Sequence, residues 1–144
     1  MLGPELDRIA PYSAIERALS RLAIRVPLAV STGATRRTAE TILRRTRLLA
    51  HFRVVVGGDE VPAPKPSPAG ILLACARLGV APERCVYVGD SAGDMLAARS
   101  AGALAVAAAW GHEYDDGANA DLVLTGPDEL PALLAGCRRS RYRP

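Results

Sequence analysis

The stretch Val86-Tyr-Val-Gly-Asp90-Ser-Ala-Gly-Asp94-Met-Leu-Ala-Ala-Arg-Ser-Ala-Gly102 decides the fold. Residues 85–88 form a short apolar run of strand type, 89–93 read as a turn, and 94–101 read as a helix that Gly102 stops. A buried strand that leads straight into a helix carries Asp90 to the strand's carboxyl end and sets Asp94 at the helix opening. Two carboxylates at one tip suit Mg²⁺, a hard cation often held by one or two protein carboxylates together with phosphate and water. Gly89 permits close backbone approach, and the alanines at 97, 98 and 101 let the helix lie close to its neighbours. The plainer alternative is that both aspartates cap a helix N-terminus, a common role for the residue.

Working outward, the same alternation recurs. Residues 12–24 carry Ile15, Leu19 and Leu22 at helical spacing, and 27–30 is a short apolar strand broken by Ser31-Thr32-Gly33. Residues 35–49 read as a helix, 53–56 as a strand, and 68–78 as a helix closed by Gly79. Further strands are expected at 104–109 and 121–125, and a last helix at 127–134. Strands alternating with helices imply right-handed crossovers, hence an α/β fold with a parallel sheet sandwiched by helices and ligands at the carboxyl ends of the strands. No repeat or low-complexity tract interrupts it.

Two further positions lie on that ligand edge. Of the 18 basic residues, 17 are arginine and Lys65 is the only lysine, set between Pro64 and Pro66 in the loop VPAPKPSP. The prolines stiffen the loop, and a compact ammonium suits a phosphoryl oxygen. Thr32, with Ser31 as the alternative, ends the first strand just before Gly33, where a hydroxyl and the following backbone N–H groups point at an anion near a helix start. His51 and His112 lack a carboxylate or cysteine at ligand spacing and read as surface or structural residues. Trp110, with Gly111-His112 just beyond the fourth strand, reads as a packing residue, with the lining of a substrate entrance as the alternative.

Composition sets outer bounds. The chain has 144 residues, 49% hydrophobic and 23% charged, which fits one globular domain. No apolar run reaches the ~18 residues needed to cross a bilayer, and MLGPELDRIAP is not a signal peptide, so a soluble cytoplasmic protein is expected. Cys75, Cys85 and Cys137 form no CxxC pair and suggest neither a disulfide framework nor a metal knuckle; Cys75 and Cys85 read as small buried hydrophobes. The net charge of +3 comes largely from the arginines of the last seven residues, so 138–144 reads as a basic, solvated tail rather than a nucleic-acid surface.

Taken in order, LAVSTG, KPSP and VGDSAGDMLAARSAG resemble the second, third and fourth motifs of the haloacid dehalogenase superfamily, its phosphoglycolate phosphatase-like branch in particular. The likeness covers residues 12–135. It implies a Rossmann-like core over 25–137 and Mg²⁺-dependent hydrolysis of a small phosphorylated metabolite through an aspartyl-phosphate. Thr32 and Gly33 would bind the phosphoryl group, Lys65 would stabilise that group and the nucleophile, Asp90 would ligate Mg²⁺, and Asp94 would support the metal. The resemblance also implies a first strand ending in Asp-x-Asp, and no such strand is present. Residues 1–24 read instead as the exit from a cap and the helix that returns the chain to the core. Three explanations stay open: a truncated product, a chain that has lost catalysis and serves as a binding module, or an enzyme completed by another chain or an upstream segment. In this fold the missing strand lies between those at 27–30 and 85–88. Its absence would leave a gap, to be closed by direct pairing, by a strand from a second copy, or by association along the exposed edges, and self-association is expected.

Overall fold

The computed structural model describes residues 14–116 and 119–134. The expected basic tail, Cys137 and most of the segment before the first helix lie outside them. Helix α1 (Ile15–Ala23) leads to strand β1 (Ala29–Ser31), helix α2 (Arg36–Arg45), strand β2 (Val54–Val56) and helix α3 (Ala69–Leu78). Strand β3 (Val86–Gly89), helix α4 (Ala92–Ala101), strand β4 (Leu104–Ala108) and strand β5 (Leu122–Leu124) follow. Residues 130–134 are again helical.

Every strand pairing is parallel, as the helix–strand alternation predicts. The strands nevertheless form two sheets, one in the order β1-β2 and the other in the order β3-β4-β5. β1 and β3 do not pair, so the gap is not closed by direct pairing of its flanking strands. Backbone groups alternate sides along a strand. The bonds from Arg53 N–H to the Leu28 carbonyl and from Thr32 N–H to the Val56 carbonyl fix Leu28, Val30 and Thr32 on the β2 side. Ala29 and Ser31 therefore turn their backbone groups toward the gap. The bond from Leu104 N–H to the Cys85 carbonyl likewise leaves Val86 and Val88 facing it from β3.

Between the two edges lies an apolar slot of about 820 Å³, lined by Leu28, Val30, Val86 and Val88 and by Leu22 and Trp110 above them. Around it the core has two faces. Strand β4 alternates strictly: Ala105 and Ala107 pack with Met95, Ala98 and Ile71 beneath α3 and α4, while Val106 packs with Ala18 and Leu22 of α1 on the other face. Trp110 joins that second face, as the packing reading expected. Helix α3 lies against β1, β2 and α4, and so carries contact from one sheet to the other.

Three boundaries moved for local reasons. Helix α4 begins at Ala92 rather than Asp94, because Ser91 is the N-cap: its hydroxyl accepts from Asp94 N–H at 3.1 Å. Helix α2 ends at Arg45 rather than running to Leu49, where Thr46 turns its hydroxyl onto the Ile42 carbonyl and the chain tightens into a short 3₁₀ turn at Leu49–His51. The last helix starts with a 3₁₀ turn, Pro127–Glu129.

Candidate active site

Two aspartates are seated at the β3–α4 tip, each against a glycine. A Cβ on Gly89 would come within 2.6 Å of the Asp94 side chain, and one on Gly111 within 2.2 Å of the Asp90 side chain. Only glycine leaves that room. Asp94 is 5% exposed and forms a capping box with Ser91: its Oδ2 accepts from the N–H groups of Asp90 and Ser91, both at 3.2 Å. Asp90, one residue past the strand, accepts from Glu113 N–H at 3.1 Å on Oδ2.

Lys65 reaches this tip from the proline-rich loop, whose Lys65–Pro66 peptide is cis. Its Nζ lies 2.5 Å from Asp94 Oδ1 and 3.2 Å from the Tyr87 hydroxyl. The pair is part-buried, at 30% and 8% side-chain exposure for lysine and aspartate. Burial acts to lower the lysine pKa, but Tyr87 and Asp94 outweigh it and the net shift is upward. Burial likewise acts to raise the Asp94 pKa, but Lys65 and the Ser91 cap outweigh it and hold the carboxyl below the ordinary range. Both groups are thus charged at neutral pH. Burial pushes the Tyr87 hydroxyl up, so it stays protonated.

The Tyr87 hydroxyl also lies 3.4 Å from the Ser31 carbonyl oxygen, which ties this cluster to β1. Thr32 follows directly. Its Oγ1 accepts from Ala34 N–H at 3.2 Å, which leaves the hydroxyl hydrogen to donate elsewhere. The Ser31 hydroxyl faces another way, toward the start of α3: a Cβ on Gly70 would meet it at 2.5 Å. Lys65, Asp94 and the Ser31 carbonyl thus meet around Tyr87, with Thr32 and Gly33 following Ser31 in sequence and Asp90 tied to Asp94 through its backbone N–H. Tyr87 is the residue that sequence reasoning missed. It was read as one more residue of a buried strand, and only the folded arrangement shows its hydroxyl reaching Lys65.

Other carboxylates near this edge are committed elsewhere. Asp59 Oδ1 accepts from Arg36 N–H at 2.9 Å, and Glu60 accepts from Gly57 N–H while pairing with Arg36 and Arg77. Among the described residues no group of three His, Cys, Asp or Glu is placed to hold a metal ion, and no helix is long and apolar enough to cross a membrane.

The parallel strands flanked by helices form a Rossmann-like α/β core, with the lysine–aspartate pair at the carboxyl edge of its strands. The sequence profile of the haloacid dehalogenase-like hydrolases matches residues 4–108, and the chain belongs to that family. A phosphoglycolate phosphatase of Chromobacterium violaceum is 36% identical over 129 residues, which are 89% of this chain and 58% of that protein. Among solved structures, a haloacid dehalogenase phosphatase from Thermococcus onnurineus is 34% identical with a TM-score of 0.78, covering 87% of this chain and 58% of that one. CbbY from Rhodobacter sphaeroides, solved in complex with phosphate, is 30% identical with a TM-score of 0.74, covering 85% of this chain and 57% of that one. The chain thus spans somewhat over half the length of each of these three relatives.

Proposed function

We propose that this chain is the phosphoryl-binding core of a Mg²⁺-dependent phosphohydrolase that acts on small phosphate esters, of the phosphoglycolate phosphatase kind. The observation that carries the reading is the Lys65–Asp94 pair: a part-buried ammonium, held in one place by a carboxylate and by Tyr87, at the carboxyl end of β3. Such a fixed charge stabilises negative charge on a phosphoryl oxygen without reorganising during reaction. In this reading the Thr32 hydroxyl and the Gly33 N–H bind the same phosphoryl group from β1. The orientation of Ser31 toward Gly70 favours Thr32 as the donor.

Asp90 fits a direct Mg²⁺ ligand, since it offers carboxylate oxygen at the strand tip. Asp94 does not fit as one, because Oδ1 holds Lys65 and Oδ2 accepts two backbone N–H groups. It is a positioning residue for the lysine. Mg²⁺, when bound, supplies charge neutralisation at the phosphoryl group. The nucleophilic carboxylate comes from outside the described residues, on the strand that the family resemblance implies, and the apolar slot between β1 and β3 is the place for it. The slot also favours a second reading, a non-catalytic module that binds a partner strand there.

Titration with inorganic phosphate followed by phosphorus NMR tests the proposal. Lys65→Ala and Thr32→Ala should each weaken binding about tenfold or more, as expected for a lost charge-assisted hydrogen bond of about 1.5–3 kcal/mol. Unchanged affinity in both variants would overturn it.

A further inference from the structure

Cys75, in the last turn of α3, and Cys85, immediately before β3, bring their sulfur atoms to 3.3 Å although ten residues separate them. The chain between them is a tied turn. Val80 N–H donates to the Cys75 carbonyl at 3.1 Å, the 3₁₀ turn Pro82–Arg84 brings the backbone round, and Cys85 N–H donates to the Pro82 carbonyl at 2.9 Å. The thiols sit in a chain of contacts: Cys75 donates to Cys85 Sγ, and the Cys85 thiol lies 3.4 Å from the Ala81 carbonyl. Cys75 is buried at 4% exposure, Cys85 is half-buried, and both line the slot.

We propose that Cys75 and Cys85 form a reversible disulfide on reaction with a small-molecule disulfide, a redox modification site that staples α3 to β3. A disulfide needs its sulfurs about 2.05 Å apart, so about 1.2 Å of closure is required, between side chains whose backbones are already fixed by the turn.

The two cysteines take different parts. Burial, and then the hydrogen bond to Cys85, push the Cys75 thiol up to about 12, so the better exposed Cys85 is the attacking thiol. The Cys85 thiolate, having released its proton to solvent, attacks one sulfur of RS–SR. A Cys85–S–SR bond forms, the oxidant's S–S bond breaks, and RS⁻ leaves with the bonding pair and takes up a proton. Cys75 then attacks Cys85 Sγ, its own proton passes to the departing sulfur, and a second RSH is released. Two protein thiols are oxidised and one disulfide is reduced to two thiols.

The consequence reaches the sheets. Helix α3 lies against β1 and β2, whereas β3 belongs to the other sheet, so the bond joins the two sides of the slot at the end opposite Lys65 and Asp94.

The test uses the full chain, incubated with glutathione disulfide, quenched in acid, digested and analysed by mass spectrometry. The expected product is lighter than the reduced chain by two hydrogens, apart from any glutathione on Cys137, contains a Cys75–Cys85 cross-linked peptide, and reverts with dithiothreitol. Cys75→Ser should arrest the reaction with glutathione on Cys85, and Cys85→Ser should leave Cys75 unmodified. Because a hydroxyl at a buried position can perturb folding, Cys75→Ala is run beside it, with circular dichroism to establish that each variant retains the native spectrum. Wild-type protein that accumulates glutathione on Cys85 without closing the bond, that links either cysteine to Cys137, or that leaves both thiols reduced overturns the proposal.

Discussion

Tyr87, on β3, places its hydroxyl 3.4 Å from the carbonyl oxygen of Ser31, on β1, and so reaches across the slot that separates the two sheets. The Tyr87 hydroxyl oxygen in turn accepts from Lys65 Nζ at 3.2 Å, so one side chain links the slot to the charged pair. Tyr87→Phe keeps the ring and removes the link. It should destabilise the chain by about 1 kcal/mol, the usual net worth of a hydrogen bond, seen as a lower urea midpoint at unchanged slope. An unchanged midpoint would mean that the slot is held by packing alone.

The Lys65–Asp94 pair sets a pH window. Asp94 has its folded pKa held below the ordinary value of about 3.9, so its stabilisation is complete above that value and is lost as pH falls through the folded one. Lys65 is shifted upward from about 10.4, so its stabilisation is complete below that value and is lost as pH rises through the folded one. The pair's contribution should therefore be flat between about pH 5 and pH 9. Asp94→Asn should cost about 1.5–3 kcal/mol within this plateau and should reduce the acid-side loss. Urea denaturation across pH measures both, and an acid limb identical in the variant would show that Asp94 contributes nothing to it.

Under the proposed function the nucleophile lies outside the described residues, so the chain alone should not hydrolyse an aryl phosphate in Mg²⁺ above a Lys65→Ala control. Positioning and electrostatics do not by themselves form a covalent intermediate. Lysine-dependent release of the phenolate would mean that a carboxylate such as Asp59, seated here on Arg36 N–H, has been recruited.

Mg²⁺ should bind weakly, in the millimolar range or above, because Asp90 alone leaves most of an octahedral shell to water. Isothermal titration of wild type against Asp90→Asn would measure this. Submicromolar affinity abolished by the substitution would show that further ligands join Asp90.

Among the described residues no strand lies between the slot-facing backbone groups of Ala29, Ser31, Val86 and Val88, and the β5 edge carries Leu122 and Val123 at 46% and 45% exposure. Open edges of this kind seek partners. Size-exclusion chromatography with light scattering should show self-association that rises with concentration. A monodisperse monomer with a cooperative melt would sink this prediction.

Much of the architecture was legible in the sequence because each strand is short, apolar and followed by a helix-opening signal, and Val86 to Gly102 places two aspartates by spacing alone. Three things were not legible. Ser91 took the capping position because the competition between a serine and an aspartate three residues apart is settled by backbone geometry. The role of Tyr87 depends on Lys65, 22 residues away in a different loop. The contact between Cys75 and Cys85 arises because a helix, a turn and a strand fold back on one another, and no spacing rule for adjacent cysteines anticipates it.

The divided sheet bears on how tightly an anion is held. Thr32 follows β1 of one sheet, whereas Lys65 is pinned by Tyr87 of β3 and by Asp94 just beyond it, so among the described residues no strand ladder fixes the distance between these two groups. They behave as the jaws of a caliper whose opening is set by Tyr87, by the lie of α3, and by whatever chain segment occupies the slot. Hydrogen bonds weaken over a few tenths of an ångström, so under the proposed function a small change in that opening would free a bound phosphoryl group from Thr32 while Lys65 kept its hold.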